Sequence, residues 1–227
     1  MKKFFLAAIA SFLFSIAFAQ KVNKVTISRD GSVEMITLLL DEGISVTMTD
    51  NGTIIAYGVE VYSERIPNFS RIDNYPGRVE FYPENENESF RGKVKYVGKN
   101  LISYYGSYDN EAMRGKVKSI GTSNFDYYTS MDNEAMKGKI KSIGTLQFGW
   151  YSSYDNEALK GKLKSVGATN ISFYSSFDDK AFKGKIKSIG TANFTYYSSM
   201  EKTEYRGALK SGNQVQTVNG IKYYVKF

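Results

Sequence analysis

The chain has 227 residues, 30 of them Lys or Arg and 23 Asp or Glu, and it contains neither His nor Cys. The usual zinc and haem ligands, imidazole bases, thiol nucleophiles, disulfides and a lipid-anchor cysteine are therefore all excluded. A net charge of +7 is mild: it favours polyanionic partners, and it serves solubility equally well.

Lys2 and Lys3 precede an apolar run from Phe4 to Phe14, and Ala17-Phe18-Ala19 supplies an A-x-A cleavage site before Gln20. This is the pattern of a secretory signal peptide over residues 1–19. The run is shorter than the roughly 20 apolar residues that span a bilayer. The expected product begins at Gln20, is periplasmic, secreted or cell-surface associated, and carries 28 basic against 23 acidic residues, a net of +5.

Residues 20–66 form an N-terminal β segment. Val25-Thr26-Ile27-Ser28 and Val33 to Leu40 flank Asp30-Gly31, while Val46-Thr47-Met48 and Thr53-Ile54-Ile55 flank Asp50-Asn51-Gly52. Both are hairpin signals, with Gly supplying a positive φ. Leu38, Leu39 and Leu40 break strict alternation, which predicts a strand covered on both faces. Pro67, Pro76 and Pro83 then fall in a boundary stretch over 67–90, where proline would interrupt a ladder.

From Arg91 to Tyr205 a 23-residue unit is written out five times without a gap, beginning RGKVKYVGKNLISYYGSYDNEAM and RGKVKSIGTSNFDYYTSMDNEAM. A fixed period of this length marks a repeat architecture. A degenerate copy precedes it, with Val79-Glu80-Phe81-Tyr82 in register with Ile102-Ser103-Tyr104-Tyr105, and a truncated copy opens residues 206–227 before a C-terminal hairpin over Gln214 to Phe227. Atypical end units are usual in arrays, because they face solvent on one side.

Within a unit, Lys116 to Ile120 reads as a strand, Gly121-Thr122-Ser123-Asn124 as a turn and Phe125 to Ser130 as a second strand. Alternation puts Ile102, Phe125, Phe148, Ile171 and Phe194 on one face with Tyr104, Tyr127, Trp150, Phe173 and Tyr196. Val117 and Ile120, three apart, cannot both point inward from a regular strand. In a parallel solenoid, identical positions stack about 4.8 Å apart and pile lysines into like-charge ladders. An antiparallel meander separates them, so the expected fold is all-β: a meander of tandem 23-residue β-hairpin repeats with an N-terminal β cap.

Tandem hairpin units punctuated by glycine and aromatics resemble MORN repeats in architecture, and the Lys/Glu-decorated array is similar to the single-layer β-sheets of some bacterial surface lipoproteins. The unit lacks the closely spaced G-x-G of the former, and the chain lacks the cysteine of the latter. Units of the KGKIKS-IG and YYSS-YDNEA type also resemble uncharacterised exported bacterial proteins, a resemblance that implies no activity.

Two constellations carry the functional candidates. Asp109/Glu111, Asp132/Glu134 and Asp155/Glu157 are carboxylate pairs two residues apart; they suit lysine partners, calcium or glycosidic acid–base work. Catalysis needs two unequal environments, whereas these pairs recur in near-identical settings, and the fourth copy is Asp178-Asp179-Lys180. The second constellation is a row of Tyr105, Tyr128, Tyr151, Tyr174 and Tyr197 beside Lys95, Lys118, Lys141, Lys164 and Lys187. It makes a platform for sugar rings or an anionic polymer, or equally a cross-strand aromatic ladder that stiffens the sheet.

The expected function is thus a non-enzymatic scaffold or binding surface in the bacterial envelope, with no cofactor and no metal. Envelope polysaccharide, another polyanion or another envelope protein is the expected partner, with no specific nucleic acid and at most peripheral membrane contact. The alternative is an outer-membrane β-barrel, suggested by Ile221, Tyr223, Val225 and Phe227 facing one way. Repeat strands of roughly five to seven residues fall short of the 9–11 that such a barrel needs.

Overall fold

The computed structural model describes residues 21–28, 30–65 and 70–226. The signal peptide with its cleavage site, Gln20, Pro67 and Phe227 lie outside the described residues. The architecture is all-β. The N-terminal segment supplies β1 (Lys21–Ile27), β2 (Val33–Leu39), β3 (Ile44–Met48), β4 (Ile54–Tyr62) and β5 (Ser70–Asn74). The degenerate unit gives β6 (Val79–Phe81), and the repeats give β7 (Val94–Val97), β8 (Asn100–Tyr104), β9 (Val117–Ile120), β10 (Ser123–Tyr127), β11 (Ile140–Ile143), β12 (Leu146–Trp150), β13 (Leu163–Val166), β14 (Thr169–Phe173), β15 (Ile186–Ile189), β16 (Ala192–Asn193) and β17 (Thr195–Tyr196). The truncated unit and tail give β18 (Leu209–Ser211), β19 (Val215–Val218) and β20 (Ile221–Val225).

Strands β6 to β16 lie side by side in sequence order, each antiparallel to the next, and β17 pairs with β18 beyond Phe194. This is the expected meander. The turn inside each unit is shorter than its composition suggests: β9 and β10 are joined by Gly121 and Thr122 alone, and Ser123 already pairs with Ile120. Gly121 has φ of 52°, the left-handed value a two-residue hairpin demands.

The inward-facing problem of Val117 and Ile120 is resolved by a β-bulge. Ile102 pairs with Ile120 and Ser103 with Ser119, but Tyr104 pairs with Val117, so Lys118 has no residue opposite it. One extra residue resets the alternation, and Val117 and Ile120 are both fully buried. The same skip recurs at Lys95, Lys141, Lys164, Lys187 and Lys210.

The second sheet has the order β19-β20-β1-β2-β3-β4-β5. The C-terminal hairpin extends the N-terminal sheet, with β20 parallel to β1. Asn219 (φ 50°) and Gly220 (φ 76°) make its tight turn, as the Asn-Gly signal predicts. Ile221, Tyr223 and Val225, the residues that suggested a barrel, are buried in the shared core, and among the described residues neither sheet closes on itself. No helix among the described residues is long and apolar enough to cross a membrane.

The two sheets form two layers around one core. The aromatic column of the array, Phe125, Tyr127, Phe148, Trp150 and their equivalents, meets Val25, Ile36, Leu38, Ile44, Val46 and Met48 of the cover. The cover is buried on its other face too: Thr26, Thr37, Ser45 and Thr47 are at most 3% exposed, and the Thr37 and Thr47 hydroxyls bond each other at 3.0 Å. Lys24 of β1 reaches Glu60 of β4 (2.6 Å), three strands away in the sheet order, so the sheet is strongly coiled with a polar concave side.

The hairpin turns of the cover dock onto both edges of the array. The Ile140 amide donates to the Asp50 carbonyl (2.8 Å), and Asn219 Nδ2 donates to Thr169 Oγ1 (2.9 Å). Gly52 sits directly against the Tyr127 ring, with no room for a Cβ, and has φ of 79°. Gly144, at φ 57°, has open space around it. Replacing Gly144 by Ala therefore costs about 1–2 kcal/mol, the strain of a left-handed L-residue. Gly52→Ala costs roughly 1–3 kcal/mol more through overpacking. Urea unfolding of the two variants measures the difference, and equal losses would show that the Gly52 turn is not seated on the array.

Candidate functional site

Each unit carries two lysines two places apart, and they reach different aromatic rings. The first row is half-buried. Lys93, Lys116, Lys139, Lys162 and Lys185 lie over the core-facing rings of Tyr104, Tyr127, Trp150, Phe173 and Tyr196, with Nζ 4.6–5.3 Å from the centroids. Lys93, Lys116, Lys162 and Lys185 donate to the carbonyl of the glycine one unit further on. Lys139 pairs with the Asp50 carboxylate, and Lys162 also reaches the Asp30 carbonyl. Burial pushes the ammonium groups of Lys93, Lys116 and Lys162 below the ordinary lysine value.

The second row is the predicted one, and all ten predicted residues come together in it. Lys118 lies over Tyr105, Lys141 over Tyr128, Lys164 over Tyr151 and Lys187 over Tyr174, at 5.2–5.6 Å from the centroids. Lys95 and Tyr197 take partners from the end units: Lys95 lies over Tyr82 (5.2 Å) and Lys210 over Tyr197 (5.5 Å). Tyr82 and Lys210 belong to the same row and were missed because their units are degenerate; counting back and forward by 23 finds both.

These tyrosines are half-buried struts. Tyr82, Tyr105, Tyr128, Tyr151 and Tyr174 each donate their hydroxyl to a backbone carbonyl 20 residues on, at 2.8–3.2 Å. Tyr105, Tyr151 and Tyr174 meet the core-facing ring of the next unit edge-on, with centroids 6.0–6.1 Å apart. Burial raises the phenol pKa of Tyr105, Tyr128, Tyr151 and Tyr174. With an ammonium over each ring and the hydroxyl engaged, the groups this face offers to solvent are the lysines. Lys118, Lys141, Lys164, Lys187 and Lys210 are exposed and, like Lys95, are in none of the ion pairs among the described residues.

The carboxylate pairs separate into two structural tasks. Asp155 accepts from the amide (2.6 Å) and hydroxyl (2.8 Å) of Ser152, and Asp132 does the same with Thr129 (2.6 and 2.8 Å). These aspartates clamp turns, and the charges of Lys141 and Lys164 act on them as a smaller influence without an ion-pair contact. Glu111 and Glu157 do pair with lysine, bonding Lys137 and Lys183, each the first residue of the unit after next, at 2.7 Å. No group of three or more acidic side chains able to hold a metal ion occurs among the described residues. Between them, Asn87, Asn110, Asn133 and Asn156 each donate to a serine hydroxyl in the following unit (2.7–3.0 Å). Asp179 continues that ladder because the Ser199 hydroxyl turns donor (2.8 Å), as a hydroxyl is able to do.

One row escaped the sequence reading altogether. Tyr108, Met131, Tyr154, Phe177 and Met200, one per unit at the turn tip, are 91–100% exposed. Because Ser-x-Asp turns tolerate any residue at that tip, nothing in a turn-forming context flags it; the signal was the absence of a polar residue in all five copies.

A cleft of about 460 Å³ on the concave side of the cover is lined by Lys24, Glu60, Tyr62, Ser70, Lys222 and Tyr224 among others. Burial acts to raise the Glu60 pKa, but the Lys24 and Ser70 hydrogen bonds hold it below the usual carboxylate range. The Glu60 charge is thus matched by Lys24, and the cleft collects no unpaired acid.

The chain matches no protein-family model, and comparison with curated proteins and with solved structures finds no match either.

The turn clamps set an acid limit. Hydrogen bonds from Ser152 lower the Asp155 pKa, and those from Thr129 lower that of Asp132. A folded pKa below the unfolded value contributes stability at every pH above the unfolded value, and that contribution is lost as the pH falls through the folded one. Stability is therefore expected to be level down to about pH 4 and to fall below it. Chemical unfolding across this range checks the expectation, with Asp155→Asn showing a shallower fall; an acid dependence identical in wild type and variant contradicts it.

Proposed function

We propose that the protein is an exported, non-enzymatic repeat scaffold whose outer lysine row binds an extended polyanion such as an acidic envelope polysaccharide. The supporting observation is the bulge. It places six lysines, from Lys95 to Lys210, at one position per hairpin on one face, without ion-pair partners among the described residues. Two strands per unit set the row at roughly 9.6 Å spacing. A flexible chain with charges along its length meets such a row by many weak equivalent contacts, so affinity grows with ligand length and falls with salt. Charge, rather than ring stacking, carries the contact, since the tyrosine faces are already covered.

Export rests on Lys2, Lys3, the Phe4 to Phe14 run and Ala17-Phe18-Ala19. Intact mass of protein recovered outside the cytoplasm of the producing cells is expected to correspond to a chain starting at Gln20; a mass retaining residues 1–19 refutes cleavage there. For the lysine row, Lys118, Lys141 and Lys164 are replaced together by Gln. Retention on immobilised polygalacturonate oligomers should then shift to lower salt, and the dependence on oligomer length should flatten. Each loss of a cation–π contact costs about 0.5–1 kcal/mol, so the fold survives to be tested. Elution at the wild-type salt concentration would refute the polyanion reading and leave the row as a structural ladder.

A further inference from the structure

The exposed tips form a second surface, distinct from the lysine face. Tyr108, Met131, Tyr154, Phe177 and Met200 stand in a line along one edge of the array, and none is needed by the fold, since each is at least 91% exposed. Five large apolar side chains exposed at the same position of successive units, roughly 9.6 Å apart by the strand spacing, form a repeated apolar feature of the kind that marks an interaction surface. We infer that this ridge is a twofold interface through which two copies of the chain associate, running antiparallel with Tyr154 on the axis.

Three observations on the ridge favour a second copy. The first is size. Three of the tips, Tyr108, Tyr154 and Phe177, are aromatic and bring about 150–250 Å² each; with Met131 and Met200 between and beside them, the ridge approaches the roughly 800 Å² per partner of a standard interface. The second is the order of the tips. Antiparallel pairing about Tyr154 sets Met131 against Phe177 and Met200 against Tyr108, so that each thioether meets a ring, a favourable contact; parallel pairing would set like on like. The third is charge. The position three beyond each tip is Glu111, Glu134, Glu157, Lys180 and Thr203 in turn. Glu111 and Glu157 are already held by Lys137 and Lys183. Glu134 and Lys180 are exposed and take part in none of the ion pairs among the described residues. They lie one unit either side of Tyr154, so the same twofold axis brings Glu134 of one copy beside Lys180 of the other, twice per dimer.

A membrane is the less suitable occupant. The tips of the first three units are each flanked by two carboxylates and one basic residue, as in Asp132, Glu134 and Lys137, which repels an anionic leaflet.

Sedimentation velocity on residues 20–227 tests the inference. The wild type is expected to dimerise with rising concentration, and Tyr154→Ser combined with Phe177→Ser to remain monomeric, with an unfolding midpoint equal to that of the wild type at dilutions where it too is monomeric. Glu134→Lys and Lys180→Glu singly should each weaken the dimer by roughly three- to tenfold, and the double variant should regain it. A wild type that stays monomeric, a dimer that survives the serine variants, or a double swap no better than either single overturns the interface. So does a wild-type monomer that co-sediments with phosphatidylcholine vesicles, which would assign the ridge to lipid. Polygalacturonate retention is read on the same serine variants: loss of the dimer with retention unchanged separates this interface from the lysine row.

Discussion

The β-bulge at the second lysine of each unit is the constraint on which the rest of the array depends. A regular four-residue strand can bury alternate residues only, yet Val117 and Ile120 are both fully buried, as are Ile140 and Leu163, with Ile143 and Val166 nearly so. Skipping one residue in each ladder makes this possible and widens the apolar face of a very short strand. It also separates the fates of the two lysines. The first turns toward the core-facing ring and spends its donors on carbonyls and on Asp50, whereas the skipped one swings onto the tyrosine of the preceding unit. Both faces of the sheet thus acquire an ammonium–aromatic ladder from a single backbone irregularity.

Much of this was legible in the chain. The period, the inward column of Phe125, Tyr127 and their equivalents, and the Asp-Gly and Asn-Gly turns follow from spacing and alternation, and the antiparallel meander from the like-charge lysine ladders that a parallel stack would create. The pairing of Lys118 with Tyr105 was legible as a surface but not as a ladder, because a bulge is a relation between two strands and leaves only a misfit, Val117 and Ile120 three apart, in one of them. The docking of β20 beside β1 was not legible, since nothing local to Ile221–Val225 encodes a parallel partner some 200 residues away. The ridge left only one trace, the lack of a polar residue at the tip in all five copies, because a tip residue makes no contact that alternation could record.

The inner ring position shows how far the units tolerate change. Tyr104 and Tyr127 donate their hydroxyls to the carbonyls of Val94 and Val117, at 2.9 and 2.8 Å. In the third unit Trp150 replaces tyrosine, and its indole N–H reaches the equivalent carbonyl of Ile140 at 2.7 Å. Two side chains of different shape satisfy one buried acceptor, as burial requires. Phe173 lacks a donor, and it is there that Gly31 of the cover presses against the ring. The cover packs equally closely where the polar contact is made, since Gly52 sits against the Tyr127 ring, so the ring at this position is held by the second layer whether or not it carries a donor.

The two layers are matched in period, and this limits what the array can become. The turns around Asp30 and Asp50 lie two strands apart in the cover, roughly 9.6 Å, which is the spacing of successive units in the array. Asp50 therefore meets Lys139 while Asp30 meets Lys162, one unit further on. At the opposite edge Glu42 bonds Lys99 (2.9 Å), and Val218 touches Gly190, so the cover reaches from the first unit to the fifth. Beyond that width, further units would present Ile, Phe and Trp positions to water with no sheet above them. A lone repeat sheet of this sequence has one apolar face and cannot be extended indefinitely as a solenoid can. The length of the array is set by the breadth of a non-repeating sheet assembled from both ends of the chain, and a change in unit number must move by whole periods to keep Asp30 and Asp50 over lysines.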